Sequence, residues 1–168
     1  MLRRSLMLIF LPLCLGGWLE PFASADTVAQ ARTAIQAAYD REDAAVRRKD
    51  VKGTLANCAP DFQFIQSDGS RGSLADARQG MVALFQKPNS FVAKTTIQKF
   101  TLQGNKAIAT VKEYQMRTVV PHAKHAHPHK IVTVTIIEDT WVKHGNRWLR
   151  EISRAISQKQ TLDGRPVG

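Results

Sequence analysis

Between Asp26 and Lys49 the apolar residues return every three or four positions, with Val28, Ala31, Ile35, Ala38, Tyr39, Ala45 and Val46 on one stripe. A 3.6-residue period predicts an amphipathic helix lying on a core, and Asp26 or Thr27 is placed to cap its first turn. A short second helix is predicted after Asp50 as cap, with Val51, Leu55 and Cys58 facing inward and Pro60 as its stop. The period then falls to two in Phe62-Gln63-Phe64-Ile65, a strand that closes in the Ser67-Asp68-Gly69-Ser70 turn. Ser73 and Asp76 have the spacing of a capping box. They open a third helix with Leu74, Ala77, Met81, Leu84 and Phe85 on one face and Pro88 as its stop.

Beyond Pro88 the pattern is β. Residues 90–102, 106–120, 129–143 and 147–157 are rich in Val, Ile, Thr and aromatics, and are broken at Gln103-Gly104-Asn105, at the loop 121–128 and at Gly145-Asn146. This order predicts an α+β domain, three N-terminal helices packed on a curved, mainly antiparallel sheet. A sheet of that length and curvature leaves a hollow against the first helix, and such hollows hold ligands.

The first 25 residues follow a different pattern. Arg3 and Arg4 precede the apolar stretch Leu6 to Leu15, and Ala23-Ser24-Ala25 offers a small-x-small cleavage site. Residues 1–25 therefore read as a signal peptide and 26–168 as a single exported domain, periplasmic or secreted. The apolar stretch is too short for a stable membrane anchor. Cleavage would remove Arg3, Arg4 and Glu20, and so only one unit of the net charge of +10. The remaining basic residues are spread along the chain, and no nucleic-acid motif accompanies them. Cys58 alone survives cleavage, so the mature monomer has no internal disulfide; on the apolar side of a helix it reads as a core thiol.

Glu42 is the most informative polar residue. Counting from Ile35, seven residues at roughly 100° each bring it within about 20° of the middle of the apolar stripe. A carboxylate there must be paired, hydrated in a cavity or neutral. Tyr39 lies one turn earlier on the same side. Arg150 and Arg154 are the natural partners, because they alternate with Trp148, Ile152 and Ile156 in the last strand. Whether that face looks inward is open, and so is the side taken by Ile131, Ile137, Asp139 and Trp141. His122, His125, His127 and His129 are weak metal candidates: their spacing fits no established zinc site, and Lys124 sits among them. No nucleophile elbow and no phosphate-binding glycine loop occurs, and no cofactor is expected.

Three segments carry a resemblance: Lys49-Asp50 before the second helix, Ala59-Pro60-Asp61-Phe62 leading into the first strand, and residues 139–148, Asp139 to Trp148, across the last hairpin. Their order resembles the NTF2-like superfamily, specifically the SnoaL-like and DUF4440-type domains, over roughly residues 27–157. The resemblance implies a cone-shaped α+β fold that hosts isomerases, cyclases, dehydratases and transport factors. It also implies a first-strand aspartate base in the isomerases. Here Gln66 aligns with that base and Glu42 with the oxyanion donor, so the isomerase chemistry lacks its working group.

The expectation is thus an exported domain binding a small, partly apolar ligand in the cone. Its predicted lining is Tyr39, Glu42, Phe64, Tyr114, Trp141 and Arg154. One alternative is a lyase, isomerase or hydrolase of the same fold with Glu42 as its acid–base group. The other is a homodimeric interaction protein without a small-molecule site.

Overall fold

The computed structural model describes residues 26–120 and 127–167. The first helix, α1 (Val28–Arg47), is capped by Thr27, whose side chain accepts from the Gln30 N–H while the Gln30 side chain returns to the Thr27 N–H. Helix α2 (Val51–Thr54) is capped by Asp50. Strands β1 (Cys58–Ile65) and β2 (Arg71–Ser73) form a hairpin, and α3 (Leu74–Phe85) follows with the Ser73–Asp76 capping box in place. Then come β3 (Asn89–Gln103), β4 (Lys106–Val119), β5 (His129–His144), β6 (Arg147–Leu162) and a short β7 (Arg165–Val167).

One mixed sheet results, in the order β2-β1-β6-β5-β4-β3, with β7 added to β6. Strands β3 to β6 are an antiparallel meander, whereas β1 joins β6 in parallel. Gly104 and Gly145 turn two of its hairpins at φ 58° and 60°, in the left-handed region.

Several sequence expectations are corrected. The second helix stops at Thr54, so Cys58 opens a strand and Pro60 lies within it. Pro60 is tolerated because the β1–β6 register is irregular between Cys58 and Gln63. The helices do not form a single layer: α1 lies on β3, α3 lies on β1 and β2, and α2 packs chiefly between the two helices. Val28 stands largely exposed at the start of α1. The last strand runs five residues past Ser157, where polar Gln158, Lys159 and Gln160 had hidden its continuation.

Helix α1 is seated by polar contacts as well as by its apolar stripe. Strand β3 is a sheet edge, and its outward backbone groups would otherwise be unpaired. Arg32 donates to Ile97 O at 3.1 Å, Gln36 to Thr95 O at 2.9 Å and Arg47 to Ala93 O at 2.9 Å. Buried Asp43 accepts from the Thr95 N–H and hydroxyl at 2.7 and 2.9 Å. These bonds fix the rotation of α1, and with it the direction of Tyr39 and Glu42. Under the helix lies the main core, with Ile35, Tyr39, Val111 and Trp141 almost fully buried.

Candidate functional site

A cavity of about 360 Å³ opens between the helices and the inner face of the sheet. Its walls are apolar toward α3 and β1, where Phe64, Met81 and Leu84 meet Val46, Val111 and Ile137. Its other end is polar, formed by Tyr39, Glu42, Glu113, Asp139 and Arg150.

Arg150 organises that end. It donates to Glu42 Oε2 at 3.0 Å and, at the limit of a hydrogen bond, to Asp139 Oδ2 at 3.5 Å. Its guanidinium also lies 5.4 to 5.8 Å from the ring centres of Trp141, Phe62 and Tyr39, a packing that favours a planar delocalised cation. Glu42 Oε1 takes a further bond from Asn57 Nδ2 at 3.1 Å. The Tyr39 hydroxyl donates to Asp139 Oδ2 at 2.5 Å and accepts from Trp141 Nε1 at 3.0 Å. Two buried atoms of this cluster, Asp139 Oδ1 and Arg150 Nε, have no protein partner among the described residues.

The electrostatics are those of buried acids around one cation. Burial pushes the Glu42 carboxyl above its ordinary value, against the pull of Arg150 and Asn57. Burial raises the Tyr39 hydroxyl well above its usual range, and the neighbouring Asp139 adds to this. Glu113 projects from β4 and has no side-chain partner among the described residues. Burial pushes its carboxyl up to about 7, Arg150 opposes the shift, and Asp139, Asp43 and Glu42 reinforce it. A carboxyl poised there can give or take a proton near neutral pH. Cys58 lines the same cavity 3.7 Å from Arg150, and burial raises its thiol.

Comparison with known proteins bears on the architecture. No family model matches the chain, and no curated protein matches it significantly. Solved structures do match. The Kfla4162 protein of Kribbella flavida superposes with a TM-score of 0.66 at 13% identity, over 79% of this chain and 95% of that one. A Streptomyces avermitilis protein of the NTF2-like family, proposed to be a dehydratase, superposes with a TM-score of 0.64 at 10% identity, over 77% and 97%. LinA does so with a TM-score of 0.60 at 12% identity, over 82% and 90%.

The fold is NTF2-like. At these identities the likeness is one of fold, and the narrower SnoaL-like or DUF4440-type grouping is not part of it.

Within the NTF2-like cone the predicted residues separate. Tyr39, Glu42 and Phe64 line the cavity. Trp141 is fully buried in the core behind Tyr39, edge-on to its ring at 5.3 Å, and acts through the tyrosine hydroxyl. Tyr114 is a correction: Val111, Glu113 and Gln115 of β4 face the cavity, so strict alternation turns Tyr114 to the outer side. Arg154 is also corrected. An extra residue at Glu151 shifts the register of β6 on β5, so Trp148 and Arg150 face in while Ile152 and Arg154 face out. Arg150, and not Arg154, is therefore the partner of Glu42.

Gln66 is exposed in the turn after β1, away from the cavity; the β1 residues that reach it are Cys58, Phe62 and Phe64, none of them acidic. His122 and His125 lie outside the described residues, as does the segment 1–25. His127 is exposed, and His129 is bonded to Asp163 at 2.7 Å. No group of three or more potential metal ligands converges among the described residues. Sequence reasoning missed Glu113, because polar residues occupy both faces of β4 around it.

Proposed function

We propose that this protein is an exported binder of a small, partly apolar molecule, held in the cone cavity with its polar end toward Glu42, Arg150 and Asp139. One observation carries the reading: a hollow of about 360 Å³, within the range of small-molecule sites, joins apolar walls to a single convergent polar cluster. The orphaned Asp139 Oδ1 and Arg150 Nε lie in that cluster. A buried acceptor and donor left without partners carry a free-energy cost that ligand or solvent relieves. Arg150 is already shared by two carboxylates, so a neutral ligand suits the site better than an anionic one.

A second reading, an acid–base enzyme such as a lyase, is favoured by one feature, the free carboxyl of Glu113 inside the cavity. The Streptomyces neighbour proposed to be a dehydratase has the same fold. In that reading Glu42, with both oxygens engaged, holds Arg150 in place, and Glu113 is the proton carrier. The homodimer reading draws on the outer sheet face, where exposed Ile108 and Ile152 flank Thr140 in one row.

Native mass spectrometry of the protein recovered from the exporting cell tests these readings together. The binder reading expects a mature chain beginning at Asp26 that carries a small-molecule adduct. Unprocessed chain would refute export, and a bare mass even after incubation with apolar small molecules would refute binding.

A further inference from the structure

The polar side chains on the inner sheet face beyond the cavity form an ordered array. Strands β4, β5 and β6 are in register there, so Glu113, Thr135 and Gln158 make one row and Gln115, Thr133 and Gln160 the next. Thr133 and Thr135 share the parity of Ile137 and Asp139 on β5, which places both rows on the cavity side of the sheet. Neighbours within a row are about 5 Å apart, and successive rows about 7 Å apart. A second hollow of about 290 Å³ lies over them, and Glu113 and Gln115 line both hollows. The two spaces are therefore neighbours along the sheet, with Glu113 and Gln115 between them.

The chemistry of this array is specific. Its amides and hydroxyls donate and accept at once, and Glu113 adds an acceptor. The Gln160 side chain donates to Thr133 at 3.2 Å, while Glu113, Gln115, Thr135 and Gln158 have no side-chain partner among the described residues. Two rows of paired donors and acceptors match a group bearing several hydroxyls, each of which also donates and accepts. An anionic head would meet Glu113 at the junction, and Arg117 comes only at the far end of the hollow. Among the described residues no aromatic side chain lines it, so a flat base has nothing there to stack on.

We propose that the ligand has two parts, a compact apolar part inside the cone and a non-ionic, polyhydroxylated, sugar-like head laid on the Glu113–Thr135–Gln158 and Gln115–Thr133–Gln160 rows. The proposal rests on the reading that the cavity binds a small molecule and adds the class of its polar half.

Calorimetric titration with octyl β-D-glucopyranoside below its micellar concentration, against 1-octanol, tests it on the mature protein. The expected result is at least tenfold tighter binding of the glucoside than of octanol. The double variant Gln158→Ala/Gln160→Ala, whose side chains line the second hollow and not the cavity, should bring the glucoside down to the affinity of octanol and leave octanol unchanged. Octanol binding thus serves as the internal control for an intact fold. A glucoside that binds no tighter than octanol, or an advantage that survives the double variant, overturns the sugar-like head while cavity binding stands. If neither compound binds the wild type, the cavity reading fails and this proposal with it.

Discussion

Arg150 is where the site's charge balance is decided. It is the one guanidinium among the cavity-lining residues, and it is bonded to Glu42 and Asp139. Removing one member of a buried ion pair leaves the other uncompensated, at a cost of about 3–5 kcal/mol. Arg150→Ala should therefore lower stability by about that amount in urea unfolding, whereas Arg154→Ala on the outer face should change it little. Glu113 makes a separate prediction. Its carboxyl is raised from 4.5 to about 7 in the fold, so the folded state binds the extra proton between those values. Its stabilising contribution is full below about pH 4.5 and is lost as pH rises through about 7. Wild type should thus lose more stability than Glu113→Gln between pH 5 and pH 8, by on the order of 2 kcal/mol. Equal pH profiles for the two proteins would contradict the raised carboxyl. Glu42 was legible in the sequence because an acid in the middle of an apolar helical stripe has few explanations. Glu113 was not, because Lys112-Glu113-Tyr114-Gln115 puts polar atoms on both faces, and the aromatic ring of Tyr114 drew the assignment to the wrong one.

The elements set which residues can meet. Helix α1 was readable in its period and in Asp26 or Thr27 as its cap, of which the structure uses Thr27, and α3 in its Ser73–Asp76 spacing. The polar groove-side residues Arg32, Gln36, Asp43 and Arg47 also follow helical spacing, but their role appears only once β3 is known to be an edge. The extra residue at Glu151 illustrates the opposite limit. A bulge leaves no mark in a strand's composition, yet it reverses the side chains that follow it until the next irregularity, here between Ala155 and Ser157, and so Arg150 faces in and Arg154 out where strict alternation had put both on one face. The hairpin β1–β2 makes a sharper demand. A Cβ on Gly72 would come within 2.2 Å of the Phe64 ring, which forms a cavity wall. Gly72→Ala should push that ring inward and cost about 1–3 kcal/mol as an overpacking change, read as a lower unfolding midpoint together with weaker ligand uptake. An unchanged midpoint would mean that the ring moves freely, and that the wall is less rigid than described.

For the whole molecule, the α+β class and the NTF2-like fold followed from the order of elements, while the cavity's inner chemistry followed from strand register and helix rotation. What the fold contributes is a curved mixed sheet with α1 seated on β3 and α3 on β1 and β2, a cavity between the helices and the sheet, and a polar stretch of the inner sheet face beside it. The proposed function requires the cavity to be a true binding space. The most direct measurement is calorimetric titration of residues 26–168 with 1-octanol, wild type beside Met81→Trp, which enlarges a wall residue of the cavity. The account predicts saturable one-to-one uptake by wild type and at least tenfold weaker uptake by the variant. Uptake that is absent in wild type, or the same in both proteins, would contradict it.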